Sequence, residues 1–215
     1  MSKIFKSSRS RDVMRGCFER VLEDVAPVTS RNVTTRFGST HVLVAGNAEG
    51  PPLVVLHGAM ANSALAIREG EHLFERFCVY AVDVVGFSAM GEDVRLSVKD
   101  DSYGRWLEDV MDGLGLDKAH VYGVSYGGFV ALKLAQICSE RIDRLVLVVP
   151  ASIVATPALM NFTSTGVPML LYRTEGSQLQ YFRQPTLICD ASEDVNFPGA
   201  KLLARAPALL PQATD

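Results

Sequence analysis

Apolar residues along this chain follow helical spacing at first and then form short runs separated by Gly and Pro. Residues 11–25 place apolar side chains three or four positions apart, which predicts an N-terminal helix. Two extended runs, 32–37 and 41–45, flank Gly38-Ser39-Thr40 and predict a β-hairpin. The chain is therefore expected to open with a helix followed by a hairpin.

From residue 53 onward, apolar runs alternate with helical patterns. Strands are predicted at 53–56, 78–82, 120–124, 145–149 and 186–189, and helices at 62–74, 98–114 and 126–137. Strands that are apolar almost throughout are typical of a parallel sheet with helices on both faces. The predicted fold class is α/β, with a mostly parallel sheet flanked by helices.

The 215 residues are expected to form a single domain, because chains of this length commonly fold around one hydrophobic core. Within it, 1–30 is the N-terminal helical region and 31–150 the core. Gly and Pro interrupt the apolar residues of 151–184, which predicts a short lid segment over the sheet. The last part, 185–215, is expected to hold one strand and an apolar terminal helix with no strand after it.

The charge pattern limits the classes of partner. The formal net charge is −3, and basic residues cluster only near the N-terminus, so we expect a solvated leader there and no nucleic acid partner. No apolar run is long enough for a bilayer or a secretory signal, which predicts no membrane partner. The four widely separated cysteines favour reduced thiols and a cytoplasmic location.

The sequence contains no metal-binding or nucleotide-binding motif. Histidines and cysteines never occur at metal-ligand spacing, so no metal site is predicted. No nucleotide fingerprint is present either, and no cofactor is expected.

The motif that carries chemistry is Gly123-Val124-Ser125-Tyr126-Gly127, between a predicted strand and a predicted helix. Side chains at Gly123 and Gly127 would clash in so tight a turn, and its strain would lift the Ser125 hydroxyl above the sheet edge. The helix N-terminus points amide groups at the same place. These features predict that Ser125 is a nucleophile, with a structural turn or a phosphate-binding turn as the alternatives.

With this context, the sequence resembles the α/β-hydrolase fold family, in its serine hydrolase and esterase branch. The resemblance covers about 35–150 and 185–207. Leu56-His57-Gly58-Ala59 is similar to the family's oxyanion loop, which implies that the amides of Ala59 and Tyr126 are oxyanion donors. By the same resemblance, His57 and Gly58 support this loop, and the Asp83–Ser88 loop is structural.

The resemblance also implies a catalytic acid in the segment 185–198. Aligned on the family pattern, the acid is Asp194, and Asp190 and Glu193 are the competing candidates. In this fold the order along the chain is serine, acid, histidine.

That order is incomplete in this sequence. The four histidines all precede Ser125, and none follows Asp194. His57 is the best placed substitute for the general base, although its expected role is to support the oxyanion loop; His41, His72 and His120 are expected to be structural. The family's last strand, general base and last helix have no counterpart, which fits either a shortened hydrolase or a member that has lost its chemistry.

Two main functions are therefore compatible with the sequence. The first is hydrolysis of carboxylic esters or related acyl compounds, with a moderately apolar small-molecule substrate; the resemblance does not exclude carbon–carbon bond hydrolases or cofactor-free haloperoxidases. The second is binding of a small apolar ligand between the sheet and 160–172. A third, weaker possibility is an oligomer whose open sheet edge is completed by another chain.

Overall fold

The computed structural model describes residues 4–25, 27–153, 179, 183–189, 199–210 and 212–214. The strands are β1 Thr29–Thr35, β2 Gly38–Gly46, β3 Pro52–Leu56, β4 Cys78–Val82, β5 Ala119–Val124, β6 Ile142–Val148, β7 Thr186–Cys189 and β8 Ala213–Thr214. The α-helices are α1 Ser8–Leu22, α2 Ser63–Glu69, α3 Ser102–Leu114, α4 Tyr126–Ile137 and α5 Gly199–Leu209. Two 3₁₀ turns, Glu71–Leu73 and Ser139–Arg141, follow α2 and α4.

The eight strands found in the described residues join one sheet in the order β1-β2-β4-β3-β5-β6-β7-β8. The hairpin strands β1 and β2 are antiparallel to each other, and β2 is antiparallel to β4. Every pairing from β4 to β8 is parallel. The predicted α/β class and mostly parallel sheet are thereby confirmed.

Each face of the sheet carries a separate apolar core. On one face, α3, α4 and α5 form the larger core with residues such as Trp106, Phe129 and Leu209. On the other face, α1 and α2 cover a smaller core that includes Phe18 and Ile67. The site described below lies where the central strands β3 and β5 end, next to α4 of the larger core.

The N-terminal helix begins earlier than the sequence predicted, at Ser8 instead of 11, because the Ser7 side chain caps it by accepting a hydrogen bond from the Ser10 amide. Arg11 Nε and Arg15 Nε donate to the Ala89 carbonyl oxygen at 2.9 and 3.2 Å. The expected solvated leader is thus partly wrong, because these two guanidinium groups anchor α1 to a loop of the core.

The C-terminal end also differs from expectation. The prediction that no strand follows the terminal helix was wrong, because Ala213 and Thr214 pair in parallel with Thr186 and Leu187. This pairing supplies hydrogen-bond partners to part of an edge of β7 that would otherwise be open. Of the predicted lid, 154–178 and 180–182 lie outside the described residues.

One part of the sheet is covered unevenly. Residues of β5 and β6 alternate between buried side chains facing the larger core and half-buried ones facing the other side. Tyr122, Val146 and Leu187 lie side by side on that second side, and Leu187 is 38% exposed. Helices α1 and α2 therefore leave this apolar row, Tyr122-Val146-Leu187, partly open to solvent.

Among the described helices, none is both long enough and apolar enough to cross a bilayer.

Candidate active site

Ser125 occupies a strained turn between β5 and α4. Its φ of 49° and ψ of −108° lie outside the regions that residues with side chains normally adopt. The Ser125 amide donates to the Val148 carbonyl at 2.9 Å, and the Ser125 carbonyl accepts from the Ala151 amide at 2.9 Å. The end of β6 therefore holds the serine backbone on both sides and keeps the turn in its strained form.

The glycines around Ser125 allow the close packing that this turn requires. A Cβ added to Gly127 would overlap the carbonyl group of Leu56, and one added to Gly123 would lie 2.7 Å from the Gly127 oxygen. A Cβ on Gly128 would lie 2.8 Å from Cβ of Pro150. Helix α4 can thus start directly against β3, β5 and Pro150 only because these positions lack side chains.

Tyr126 fixes the first turn of α4. Its ring is almost completely buried and makes edge contacts with Phe87, Tyr103 and Phe129 at centroid distances of 4.5 to 5.5 Å. This burial raises the pKa of Tyr126 well above its ordinary value. Amides in a helix's first turn have no acceptor within the helix, so the anchored Tyr126 amide is suited to an oxyanion.

The loop after β3 passes beside the serine. A Cβ added to Gly58 would lie 3.5 Å from Cβ of Ser125, so the two backbones are adjacent. The loop turns back at Met60, which has a φ of 64°, and the Ala61 amide donates to the Gly58 carbonyl at 3.2 Å. The structure thus brings the predicted loop, with Ala59 in it, next to the predicted serine.

His57 is buried and uses both ring nitrogens within the protein. Its Nδ1 donates to the Gly58 carbonyl at 2.8 Å, and its Nε2 accepts from the Val84 amide at 3.0 Å. Burial lowers the pKa of His57, and the nearby Asp83 charge and the Gly58 carbonyl oppose this effect only in part. This arrangement favours a supporting role for His57 and leaves neither nitrogen for the Ser125 proton.

Asp83 ties three elements together below the loop. Its Oδ1 accepts from the Ser63 amide at 2.8 Å, and its Oδ2 accepts from the Ser63 hydroxyl at 2.9 Å. Oδ2 also accepts from Nδ1 of His41 at 2.7 Å. These contacts match the structural role that the family resemblance implied for the Asp83–Ser88 loop. Sequence reasoning missed Ser63, which carries no motif of its own.

None of the four histidines, all among the described residues, is hydrogen-bonded to Ser125. His72 lies on the first 3₁₀ turn, and His120 is the second residue of β5, where its Nδ1 is 3.1 Å from Oδ2 of Asp143. Asp194 and its competitors Asp190 and Glu193 lie outside the described residues. The described part of the site therefore contains a serine, the loop after β3 and a helix N-terminus, without an imidazole hydrogen-bonded to the serine.

A cavity of about 240 Å³ adjoins the same loop on the α2 side of the sheet. Its lining residues are Val55, His57, Gly58, Ala61, Leu65, Ala66, Glu69, Gly70, His72, Leu73, Tyr122 and Val124. Ser125 is not among them, so this cavity lies beside the serine turn. The ligand pocket predicted under 160–172 involves residues outside the described part of the chain.

Within the described ranges, His, Cys, Asp and Glu side chains form no group of three that could hold a metal ion.

Comparison with known families supports the fold of this site. The family model described as the alpha/beta hydrolase fold matches residues 51–187. That range contains strands β3 to β6, the loop after β3, the serine turn and the start of β7.

Individual proteins show the same relationship. The chain is 34% identical over 119 residues to two Bacillus subtilis (strain 168) proteins, an "uncharacterized carboxylesterase nap" and "carboxylesterase YbfK". Each match covers 55% of this chain but only 40% of the relative's length. The crystal structure of carboxylesterase CesB (YbfK) superimposes with a TM-score of 0.83 at 21% identity, covering 96% of this chain and 89% of that one. At this identity, the superposition shows the fold.

Proposed function

This chain belongs to the α/β-hydrolase fold family, and on that premise we propose that it is a serine hydrolase of carboxylic esters or related acyl compounds. The observation that carries the proposal is the strained conformation of Ser125, held between β5 and α4 beside Gly58. Holding a non-glycine residue at positive φ costs free energy, and residues strained in this way occur mostly at functional sites. The two carboxylesterase relatives support the same class of reaction.

In the proposed reaction, Ser125 Oγ attacks the ester carbonyl and forms an acyl-enzyme as the alcohol leaves. The amides of Ala59 and Tyr126 donate hydrogen bonds to the developing oxyanion, which is usually the largest single contribution to such catalysis. Glycine at 123 and 127 keeps the turn tight enough for this arrangement. Asp194 is proposed as the acid of the triad on the family resemblance.

The proposal assigns no general base. No histidine follows Ser125 in the sequence, and the nitrogens of His57 are both engaged by backbone groups. A serine hydroxyl without a base is a weak nucleophile, so the reactivity of Ser125 is the quantity to measure.

The proposed substrate is a small, moderately apolar ester. Met60, on the loop beside Ser125, is 77% exposed, and the partly buried Phe87 ring packs on Tyr126 at the same turn. Apolar side chains at the entrance to a site favour apolar acyl or alcohol groups. A chain-length series of p-nitrophenyl esters tests this, and best turnover of charged esters would contradict it.

The decisive experiment is mass spectrometry of the protein after exposure to a fluorophosphonate, with peptide mapping of the adduct. We expect an adduct on Ser125 that is absent from the Ser125→Ala variant. Ser88→Ala is the matched control, because Ser88 is a buried serine of a neighbouring loop and its loss should leave the Ser125 adduct in place. An unlabelled Ser125 in folded protein would overturn the proposal.

The alternative is a small-ligand-binding protein on the same scaffold. One observation favours it: none of the four histidines, all within the described residues, makes a hydrogen bond to Ser125. Binding of apolar esters by calorimetry, with neither turnover nor a Ser125 adduct, would support this alternative over the hydrolase.

A further inference from the structure

A hydrogen-bonded line of serine, histidine and aspartate lies away from Ser125, at the β1 edge of the sheet. Ser30 Oγ is 2.8 Å from His41 Nε2, and His41 Nδ1 is 2.7 Å from Asp83 Oδ2. Ser30 belongs to the edge strand β1, His41 to β2, and Asp83 follows β4. The three residues come from separate parts of the sequence, and strand pairing alone brings them into one hydrogen-bonded line.

The hydrogen bonds define the direction in which a proton can move. A carboxylate accepts only, so His41 Nδ1 carries the proton that bonds to Asp83. In the neutral ring, Nε2 is then the acceptor and takes the hydroxyl proton of Ser30. This is the arrangement of atoms with which an imidazole removes a proton from a serine nucleophile.

The surrounding residues hold this geometry. Asp83 is 1% exposed and is fixed by the amide and hydroxyl of Ser63, while the Phe18 ring contacts the His41 ring edge-on at 5.4 Å. His41 itself is 3% exposed. Buried and fixed partners lose little entropy when they act, so the base is organised before any reagent arrives.

Ser30, in contrast, is an exposed residue of an edge strand. A reagent in solvent can approach it without passing through the protein, whereas the imidazole and carboxylate behind it are shielded from water. A hydrogen bond whose only role is to hold the edge strand does not require a buried carboxylate behind the histidine.

We propose that Ser30 is a second nucleophilic hydroxyl, separate from Ser125, which accepts acyl or phosphonyl groups from donors with a good leaving group. Ser30 Oγ forms a bond to the carbonyl carbon or phosphorus, the bond to the leaving group breaks, and the hydroxyl proton passes to His41 Nε2. Asp83 stabilises the imidazolium that results. Ser30 lies within a strand and not at a helix N-terminus, so we expect a lasting adduct instead of rapid turnover.

The test uses the Ser125→Ala protein, full length, treated with a fluorophosphonate and analysed by peptide mass spectrometry over time. The internal control is Ser39, an exposed serine of the same hairpin. We expect Ser30 to be labelled at least about tenfold faster than Ser39, since a positioned base typically contributes a hundredfold or more. The additional variant Ser30→Ala should remove this adduct.

Labelling of Ser30 no faster than Ser39 would overturn the proposal and leave its hydrogen bond a purely structural one. His41→Gln provides a second test, because glutamine keeps a polar group there without acting as a base. We expect its Ser30 labelling to fall at least about tenfold in folded protein, and unchanged labelling would also overturn the proposal. The Ser125 adduct is read in the wild-type protein and the Ser30 adduct in Ser125→Ala, so failure at one site is distinguishable from failure at the other.

Discussion

His57 illustrates how burial at a single residue sets a charge state. Its ring donates to one backbone carbonyl and accepts from one backbone amide, which only the neutral imidazole can do at once. Its pKa is lowered mainly by burial, so the folded protein resists protonation at this residue. The loop at Gly58, which lies beside Ser125, therefore depends on a neutral His57.

A pH dependence of stability follows. The unfolded chain protonates His57 near its ordinary pKa of about 6.5, whereas the folded chain protonates it only at lower pH. Below about pH 6.5 the unfolded state binds more protons, so the free energy of unfolding falls as pH falls, by up to about 1.4 kcal/mol per pH unit. Urea unfolding between pH 7.5 and 5.5 measures this slope.

His57→Gln should flatten that slope, because glutamine does not titrate. His72→Gln, which removes an exposed imidazole, is the matched control. Equal slopes in wild type and His57→Gln would contradict the assignment of the pH dependence to His57.

At the scale of elements, α4 is the helix that positions the site, and glycines set its distance from its neighbours. Gly127 lies against Leu56 of β3, and Gly104 of α3 lies so close to α4 that an added Cβ would be 2.6 Å from the Lys133 carbonyl oxygen. Close contact of backbones leaves no room for relaxation at these points. The position of α4 therefore depends on residues without side chains.

Gly127→Ala should consequently destabilise the fold by about 1–3 kcal/mol, because the new methyl group must displace β3 or α4. Denaturant unfolding followed by circular dichroism measures the change. Gly16→Ala is the control: a Cβ there meets nothing within 4 Å, so alanine in α1 should stabilise the protein by about 0.5–1 kcal/mol. An unchanged free energy of unfolding in Gly127→Ala would show that the neighbouring backbone can move to accept the methyl group.

At the scale of the whole molecule, the two faces of the sheet are covered unequally. Three of the described helices pack on the face with the larger core, whereas the row Tyr122-Val146-Leu187 on the other face remains partly exposed. Parallel sheets normally have both faces covered, so this row is an unusual apolar surface for such a fold.

We expect this surface to bind an apolar dye such as anilinonaphthalene sulfonate in the native state. Leu187→Lys should reduce dye fluorescence while changing the free energy of unfolding by no more than about 0.5 kcal/mol, because Leu187 is 38% exposed. Val13→Lys is the comparison, since Val13 is 60% exposed on α1, away from this row. Unchanged dye binding in Leu187→Lys would show that the row does not form the binding surface.

The order of the elements from α1 to α5 and the serine turn could be predicted from sequence because their signals are local. Each of these signals can be recognised within a few residues of sequence. They are the apolar periodicity, the apolar run before Ser125 and the glycines at 123 and 127. Boundaries were less accurate: α3 begins at Ser102 and not at 98, and β6 at Ile142 and not at 145. Capping residues determine where a helix begins or ends, and the neighbouring strand determines where a strand begins or ends. Such strand partners are distant in sequence.

Strand β8 and the partners of the histidines were decided only by the tertiary structure. A strand of two residues has no periodicity, so Ala213 and Thr214 could be recognised only by their pairing with β7. The partners of His57 are a carbonyl and an amide, which any residue can provide. Ser30, His41 and Asp83 carry no shared motif, and pairing of β1, β2 and β4 alone puts them in line. Local patterns specify elements, whereas contacts between distant residues arise only when the sheet assembles.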